Sequence, residues 1–239
     1  MEMTFLRNIL NIFRKNQSKI KIPKIFHRIW IGGNPMPQEF EDYGRTWEDL
    51  HPDWEMKTWT DENMPELINQ EIYDVSEIVL KSDLARFEML YKFGGVYIDT
   101  DFECYKNIEP LINDLEVFSA GEREGVIGNA IMGSTPKNPL FKRLINEAPR
   151  SILANADYGP NIKTGPVFMT RTLSLDEIKV FSPLYFYPTK PGESSPPNAG
   201  DKYPEAYANH HWAASWVGKE DNKTWAEWVE ENEDSYLFQ

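Results

Sequence analysis

Two aspartates lie one residue apart, directly after a short apolar run near the middle of the chain. Asp99 and Asp101 follow the segment 96–98, whose Val-Tyr-Ile sequence predicts a buried strand. Ligands of open α/β sheets bind at the carboxyl ends of the strands. Two carboxylates at this spacing repel each other, and a divalent cation relieves the repulsion. The pair therefore predicts a Mg²⁺ or Mn²⁺ site that can clamp a diphosphate, although two solvated loop acids would give the same pattern.

A second charged pair lies on the helix predicted just before this strand. Residues 75–93 place apolar side chains at helical spacing, and Gly94-Gly95 supplies the stop. Asp83 and Arg86 are three residues apart and so share one helical face. Because the helix leads directly back to the acidic strand end, both side chains can approach the same site. An ordinary ion pair on a helix is the alternative interpretation.

The remaining pattern alternates strands with helices. Strands are predicted at 25–31, 54–59, 96–98, 117–120, 130–133 and near 180–184, and helices at 39–50, 75–93 and 225–233. A strand, helix, strand start of this kind predicts the α/β class. The segment 185–204 is rich in Pro, Gly and Ser and is expected to be a long loop, either a lid over a cleft or a plain surface excursion.

Composition bounds the kind of protein. The 239 residues carry a net charge of −13, which disfavours nucleic acid as a partner. Cys104 is the single cysteine, so no intramolecular disulfide forms and a reduced, cytoplasmic setting is expected. Residues 1–20 read as a basic amphipathic leader and residues 21–239 as one domain. The leader is expected either to cap the domain or to contact an anionic membrane surface through residues 5–21.

The order of motifs resembles a known family. The patterns S-D-x-x-R (residues 82–86) and Y-x-x-G-G-x-Y-x-D-x-D (residues 91–101) are similar to the DXD-containing glycosyltransferases of family 32. That family includes yeast-type mannosyltransferases and bacterial capsule or lipopolysaccharide sugar transferases, and its core is similar to that of the clostridial glucosylating toxins. The resemblance runs from about Pro23 to Trp216. It also includes the weaker motifs IPKIFHRIWIGG, NAIMGSTPKNPLF, TGPVFMTRTL and HHWAASW.

The resemblance implies a GT-A fold, in which a Rossmann-like sheet with flanking helices binds a nucleotide sugar, and transfer with retention of configuration. It implies that Trp30 stacks on uracil, although burial in the core is an alternative for this side chain, and that Asn129 lines the acceptor side. The expected catalytic set is Asp83, Arg86, Asp99, Asp101 and Asn129. The residues expected to contact the nucleotide sugar are Trp30, Ile31, Asp83, Arg86, Tyr97, Asp99, Thr100, Ser215 and Trp216.

The late histidines supply the last expected metal ligand. Two adjacent residues of a strand face opposite ways, so only one of His210 and His211 can reach the cation. We expect His211, together with Asp99 and Asp101, to hold Mn²⁺ or Mg²⁺.

The expected function is retaining transfer of a hexose to a hydroxyl group. The donor is a UDP-sugar, favoured by Trp30, or a GDP-sugar, and the acceptor is a glycan or lipid-linked molecule, with bacterial surface polysaccharide synthesis as the setting. A non-catalytic nucleotide-sugar-binding protein is one alternative. A haloacid-dehalogenase-type phosphatase is a weaker one, because Glu103 stands where that motif normally has Thr or Val.

Overall fold

The computed structural model describes residues 21–213, except residue 124 and residues 194–198. The predicted leader 1–20, the predicted helix 225–233, and Ser215 and Trp216 all lie outside these residues. None of the helices that the structure describes has both the length and the apolar character needed to cross a membrane.

Six strands form a mixed sheet in the order β2-β1-β3-β6-β5-β7. Strands β1, β2 and β3 are mutually parallel, β6 runs antiparallel to both β3 and β5, and β7 is parallel to β5. A separate antiparallel pair joins β4 to β8. The strands are β1 Ile25–Ile29, β2 Glu55–Trp59, β3 Gly95–Ile98, β4 Phe102–Cys104, β5 Val117–Arg123, β6 Val126–Ser134, β7 Lys179–Phe181 and β8 Ala208–His210.

Helices cover the sheet, and the core has two parts. One cluster of buried side chains includes Leu84, Phe87 and Leu144, and the other includes Trp47 and Phe118. The described helices are α1 Gln38–Leu50, α2 Gln70–Val75, α3 Ile78–Phe93, α4 Glu109–Ile112, α5 Pro139–Ala154, α6 Pro160–Lys163, α7 Pro166–Thr172, α8 Pro183–Phe186 and α9 Ala199–Lys202.

Strand β3 is buried on both faces because core side chains pack against each side of the sheet. Tyr97 belongs to the core cluster on the α3 side, while Val96 and Ile98 belong to the opposite cluster, as alternation along a strand requires. This double burial explains why the segment reads as an uninterrupted apolar run. The loop that carries Asp99 and Asp101 follows directly, so a rigid central strand positions both carboxylates.

The turn from α3 into β3 requires glycine. Gly94 and Gly95 have φ values of 68° and 91°, which side chains rarely adopt. A Cβ atom on Gly95 would lie 2.6 Å from the carbonyl oxygen of Ile25 on β1. The tight turn therefore sets β3 against β1 and brings the carboxyl end of β3 back beside α3.

The predicted α/β class and the strand, helix, strand start are confirmed by this architecture. Several segments differ from the expectation, among them the following three. The predicted helix 75–93 corresponds to α3 but begins only at Ile78, because residues 76 and 77 adopt extended backbone and Val75 ends α2. The predicted loop 185–204 contains the end of α8 and all of α9, and strand β7 ends at Phe181, where 180–184 was expected to be strand.

Candidate active site

A cleft opens at the edge of the sheet where β1, β3 and β5 all end. These three strands run in the same direction, since β6 is antiparallel to both β3 and β5. The cavity has a volume of about 250 Å³. Every expected site residue within the described part of the chain lines this cavity except His211: Trp30, Ile31, Asp83, Arg86, Tyr97, Asp99, Thr100, Asp101 and Asn129.

Asp99 and Asp101 converge on the imidazole of His210. The His210 Nε2 atom lies 3.1 Å from Asp101 Oδ1 and 3.7 Å from Asp99 Oδ2. Burial alone would lower the pKa of His210, but the neighbouring carboxylates outweigh it and raise that pKa to about 10. Burial likewise opposes ionisation of Asp101, yet His210 lowers the pKa of that carboxyl overall. The backbone N–H of Ala213 also donates to Asp101 Oδ2, at 2.8 Å.

This arrangement corrects the choice between the two histidines. His211 points away from the carboxylates: its Nε2 atom lies 3.0 Å from Glu103 Oε2, and its ring stacks on Tyr43 of α1 at 4.2 Å between centroids. The reason is the pairing of β8 with β4, in which His210 lies opposite Phe102 and faces the cleft. Alternation along the strand then turns His211 to the other side.

The three side chains suit a divalent cation. One ligand atom from each of Asp99, Asp101 and His210 can be chosen so that all three lie within 4.8 Å of one another. Two carboxylate oxygens and one imidazole nitrogen form a hard to borderline donor set, which fits Mn²⁺ well and Mg²⁺ less well. We therefore assign Asp99, Asp101 and His210 as the candidate metal ligands.

Asp83 lies at the floor of the cleft with both carboxylate oxygens in use. Asn129 Nδ2 donates to Oδ1 at 2.9 Å, and Thr164 Oγ1 donates to Oδ2 at 2.6 Å. Arg86 Nη2 lies 3.2 Å from Oδ1. Burial raises the pKa of Asp83, and the guanidinium and the two hydrogen bonds oppose that rise. The carboxylate is thus held in one orientation from three directions.

Arg86 joins the floor to the acidic loop. Its Nη1 atom donates to the backbone oxygen of Asn129 at 2.9 Å and lies 3.3 Å from Asp99 Oδ1. The guanidinium carbon lies 4.6 Å from the centre of the Tyr97 ring, and Tyr97 itself donates to Asp99 Oδ1 at 2.5 Å. Burial works against the charge of Arg86, but the acidic neighbours outweigh it and raise the pKa of Arg86. A permanent cation therefore lies beside the candidate metal ligands.

Trp30 and Ile31 form the opposite end of the cleft, after β1. The Trp30 indole N–H donates to the backbone oxygen of Asn34 at 2.7 Å, and its half-buried ring packs edge-on against Phe40. The turn that follows is held by Asp61, whose Oδ2 accepts from the N–H of Gly32 at 2.7 Å. Since Trp30 lines the cavity and is only half-buried, complete burial in the core does not describe it.

Several residues of the site carried no expected role in the sequence analysis, and four of them matter for its chemistry. Thr164 appeared only as the first residue of the motif TGPVFMTRTL, and its contact with Asp83 joins segments 81 residues apart. Glu122 and Trp212 line the cavity. His210 was the histidine set aside in favour of His211. Only the register of the strand could have distinguished the two histidines. Glu122 was missed because the predicted strand 117–120 ended before it.

Comparison with known proteins finds similar sequences for part of the chain. Residues 37–118 match the model of the glycosyltransferase sugar-binding region containing the DXD motif. Over 166 residues the chain is 32% identical to inositol phosphoceramide mannosyltransferase 3 of Schizosaccharomyces pombe, which covers 65% of this chain. The chain spans only 45% of the length of that relative.

Two solved structures share the fold. The PaToxG glycosyltransferase superimposes with a TM-score of 0.51 at 17% identity, covering 72% of this chain and 78% of its own. The UDP-bound glycosyltransferase domain of the YGT toxin gives a TM-score of 0.50 at 12% identity, covering 69% of this chain and 80% of its own. Residues 37–118 thus match the DXD-containing sugar-binding region of glycosyltransferases, as the motifs resembled, and the mixed sheet and the two solved structures show a GT-A fold.

Proposed function

We propose that this protein transfers a hexose from a nucleotide sugar to an acceptor hydroxyl with the help of a divalent cation, with retention of configuration. The observation that carries the proposal is the convergence of Asp99, Asp101 and His210 within 4.8 Å, in the same cleft as the Asp83–Arg86 pair. A metal centre beside a rigid hydrogen-bonding floor is what cleavage of a sugar–diphosphate bond requires.

Each residue has a role that follows from its contacts. Asp83 is held by three donors and offers its remaining lone pairs to hydroxyls of the donor sugar. Arg86 carries a permanent charge and stabilises the negative charge that grows on the leaving diphosphate. Asn129 orients Asp83 through its amide group and Arg86 through its backbone oxygen. A cation held by Asp99, Asp101 and His210 would neutralise the diphosphate as a Lewis acid.

No protein nucleophile is assigned. Retention is compatible with attack by the acceptor hydroxyl on the same face of the sugar from which the diphosphate leaves. In this scheme an oxygen of the diphosphate accepts the proton of the acceptor hydroxyl. In that scheme the side chains bind and orient, and they do not form a covalent bond to the sugar. The buried partners of Asp83 and Arg86 fit such a positioning role.

Trp30 supports a UDP-sugar as the donor. Its half-buried ring lies at the β1 end of the cleft, and a flat aromatic side chain there can stack on a nucleobase. The structural neighbour that contains UDP agrees with this choice. The named relative, a mannosyltransferase, supports mannose as the transferred sugar instead. We place UDP-hexoses first and GDP-mannose second.

A lipid-linked or glycan hydroxyl is the acceptor that we propose. The relative's name includes inositol phosphoceramide, a lipid that carries a hydroxylated ring. Five expectations remain predictions. Three concern the setting: surface polysaccharide synthesis, a cytoplasmic location and membrane contact through residues 5–21. The other two are the single domain 21–239 and the contact of Ser215 and Trp216 with the diphosphate.

The test is release of nucleoside diphosphate from a panel of UDP- and GDP-sugars, with Mn²⁺, with Mg²⁺ or with chelator. Slow hydrolysis needs no acceptor. We expect release from one donor that stops with chelator and in Asp101→Ala, while the exposed Asp176→Ala variant behaves as the wild type. Binding without release would support the non-catalytic alternative, and hydrolysis of p-nitrophenyl phosphate would support a phosphatase. A folded protein that neither binds nor hydrolyses any of these donors, with metal present, would refute the proposal.

A further inference from the structure

Glu122 lies in the wall of the cleft and has no assigned role. It is the next-to-last residue of β5, which runs in the same direction as β1 and β3. Its side chain therefore reaches the same edge of the sheet as Trp30 after β1 and Asp99 after β3. The site is thus built from the ends of three parallel strands, and only two of them have been given a function.

The order of the strands sets an axis through the cleft. Along this edge the sequence of strands is β1, β3, β6 and β5. Neighbouring strands lie ~4.8 Å apart, so β5 is about 14 Å from β1. The proposed base contact is at β1, the metal ligands are at β3, and Asn129 on β6 helps to form the sugar floor. Glu122 comes next, beyond the sugar and on the side opposite the nucleobase.

The carboxylate of Glu122 is available for a ligand. Among the described residues, none makes a direct hydrogen bond or close ion pair with its side chain. Burial raises the pKa of Glu122, and the charges of His210 and Arg123 oppose that rise, which favours the carboxylate form. By contrast, Asp83, Asp99 and Asp101 each accept from named donors in the same cavity. Glu122 is half-buried and lines the cavity. A carboxylate in this state can accept hydrogen bonds from two hydroxyls.

Trp212 supplies an apolar surface in the same cavity. Its indole N–H donates to the backbone oxygen of Thr189 at 2.9 Å, and its ring packs on Tyr187 and on His210. The ring is therefore held in one orientation and is only half-buried. A fixed aromatic ring together with a free carboxylate suits a ring that has apolar faces and hydroxyl edges.

We propose that Glu122, with the ring of Trp212, forms the acceptor subsite and binds a hydroxylated ring, a hexose or a cyclitol, by accepting hydrogen bonds from its hydroxyls. This inference rests on the proposed transferase function. In the reaction, the bond between the anomeric carbon and the diphosphate oxygen breaks, and its electron pair leaves with the diphosphate. The anomeric carbon forms a bond to the acceptor oxygen, and the hydroxyl proton passes to an oxygen of the departing diphosphate. Glu122 positions the acceptor and does not take this proton.

The test compares transfer to an acceptor with hydrolysis of the same donor. The probes are methyl α-mannoside and phosphatidylinositol in detergent micelles, and the variants are Glu122→Ala and Glu122→Gln. We expect Glu122→Ala to raise the KM for the probe acceptor by about tenfold to a hundredfold. The ratio of transfer to hydrolysis should fall accordingly. Glu122→Gln keeps a carbonyl acceptor of the same shape and should lose less. Glu116→Gln, an exposed acid at the start of β5, is the matched control.

Each other outcome has a definite meaning. Unchanged KM and ratio in both Glu122 variants would overturn the proposal. An equal fall of kcat in both variants with unchanged KM would also overturn it, because it would make Glu122 the proton acceptor. Wild-type protein that hydrolyses the donor but transfers to neither probe would refute the acceptor class. No hydrolysis at all by the wild type would refute the proposed function itself.

Discussion

Thr164 provides a sharp test of the site, because a single hydroxyl connects it to Asp83. Its Oγ1 atom donates to Asp83 Oδ2 at 2.6 Å, and Thr164 is fully buried. Replacing it with valine keeps the shape of the side chain and removes only the donor. Asp83 Oδ2 then has no other hydrogen-bond donor among the described residues, since Asn129 and Arg86 both contact Oδ1.

The expected size of the effect follows from the loss of a buried, charge-assisted hydrogen bond. Such a bond contributes about 2 kcal/mol, equivalent to a roughly thirtyfold change in a rate or binding constant. The pKa of Asp83 is raised by burial, and the Thr164 hydrogen bond opposes that rise. Thr164→Val therefore raises this pKa further. Because the ionised carboxylate binds sugar hydroxyls, the acid limb of the activity profile should move to higher pH.

The assay is nucleoside diphosphate release as a function of donor concentration and pH. We expect a higher KM for the donor and a shifted acid limb in Thr164→Val, with recovery of both in Thr164→Ser, which keeps the hydroxyl. Thr172→Val removes a comparable threonine hydroxyl from α7, bonded to Phe168 O, and serves as the control. The reasoning is refuted if Thr164→Val matches the wild type, or if Thr164→Ser is as impaired as Thr164→Val.

Four further predictions follow from the contacts described above. His210→Ala should weaken Mn²⁺ binding by at least about tenfold in calorimetry, whereas His211→Ala should not; the reverse result would restore His211 as the ligand. Trp30→Ala should weaken UDP binding by about 1–3 kcal/mol in the same instrument if the ring stacks on the base, and Trp30→Phe should lose less. Burial lowers the pKa of His27 to about 4, with Trp59 donating to its Nδ1, so its neutral form is the native one. The unfolded chain binds this proton at pH 6.5 and below, so stability should fall by about 2–3 kcal/mol between pH 7 and pH 4.5 in urea titrations, and less in His27→Gln. Gly95→Ala should destabilise the fold by more than about 1 kcal/mol in thermal unfolding, since its Cβ would meet Ile25 O; an unchanged melting temperature would contradict the described turn.

The parts of the site that could be predicted from sequence are those joined by local geometry. Asp99 and Asp101 follow a strand, and Asp83 and Arg86 are one helical turn apart, so strand and helix periodicity alone bring them near each other. The run of glycines between them indicates the turn. These relations span fewer than 20 residues, which is the range over which periodicity is informative.

The parts that could not be predicted depend on strand pairing over long distances. The choice of His210 over His211 depends on the register of β8 against β4, and one residue of slip would reverse it. Glu122 was missed because β5 continues three residues past the predicted end, through irregular pairing with β6. Helix α5 was not predicted, although it supplies Leu144 to the core and begins at an Asn138 cap.

The small sheet of β4 and β8 determines when the candidate metal centre can form during folding. The last strand of the six-stranded sheet, β7, ends at residue 181. His210 lies 29 residues further along the chain and contacts Asp101, which is 109 residues earlier in the sequence. A contact of such sequence separation forms late in folding, because its loop-closure entropy is lost before the contact is made. A chain shortened before residue 208 should therefore fold its main sheet and yet bind the cation more weakly than the full chain, since it keeps Asp99 and Asp101 but lacks His210. Here the order of the chain separates acquisition of the fold from acquisition of the metal site.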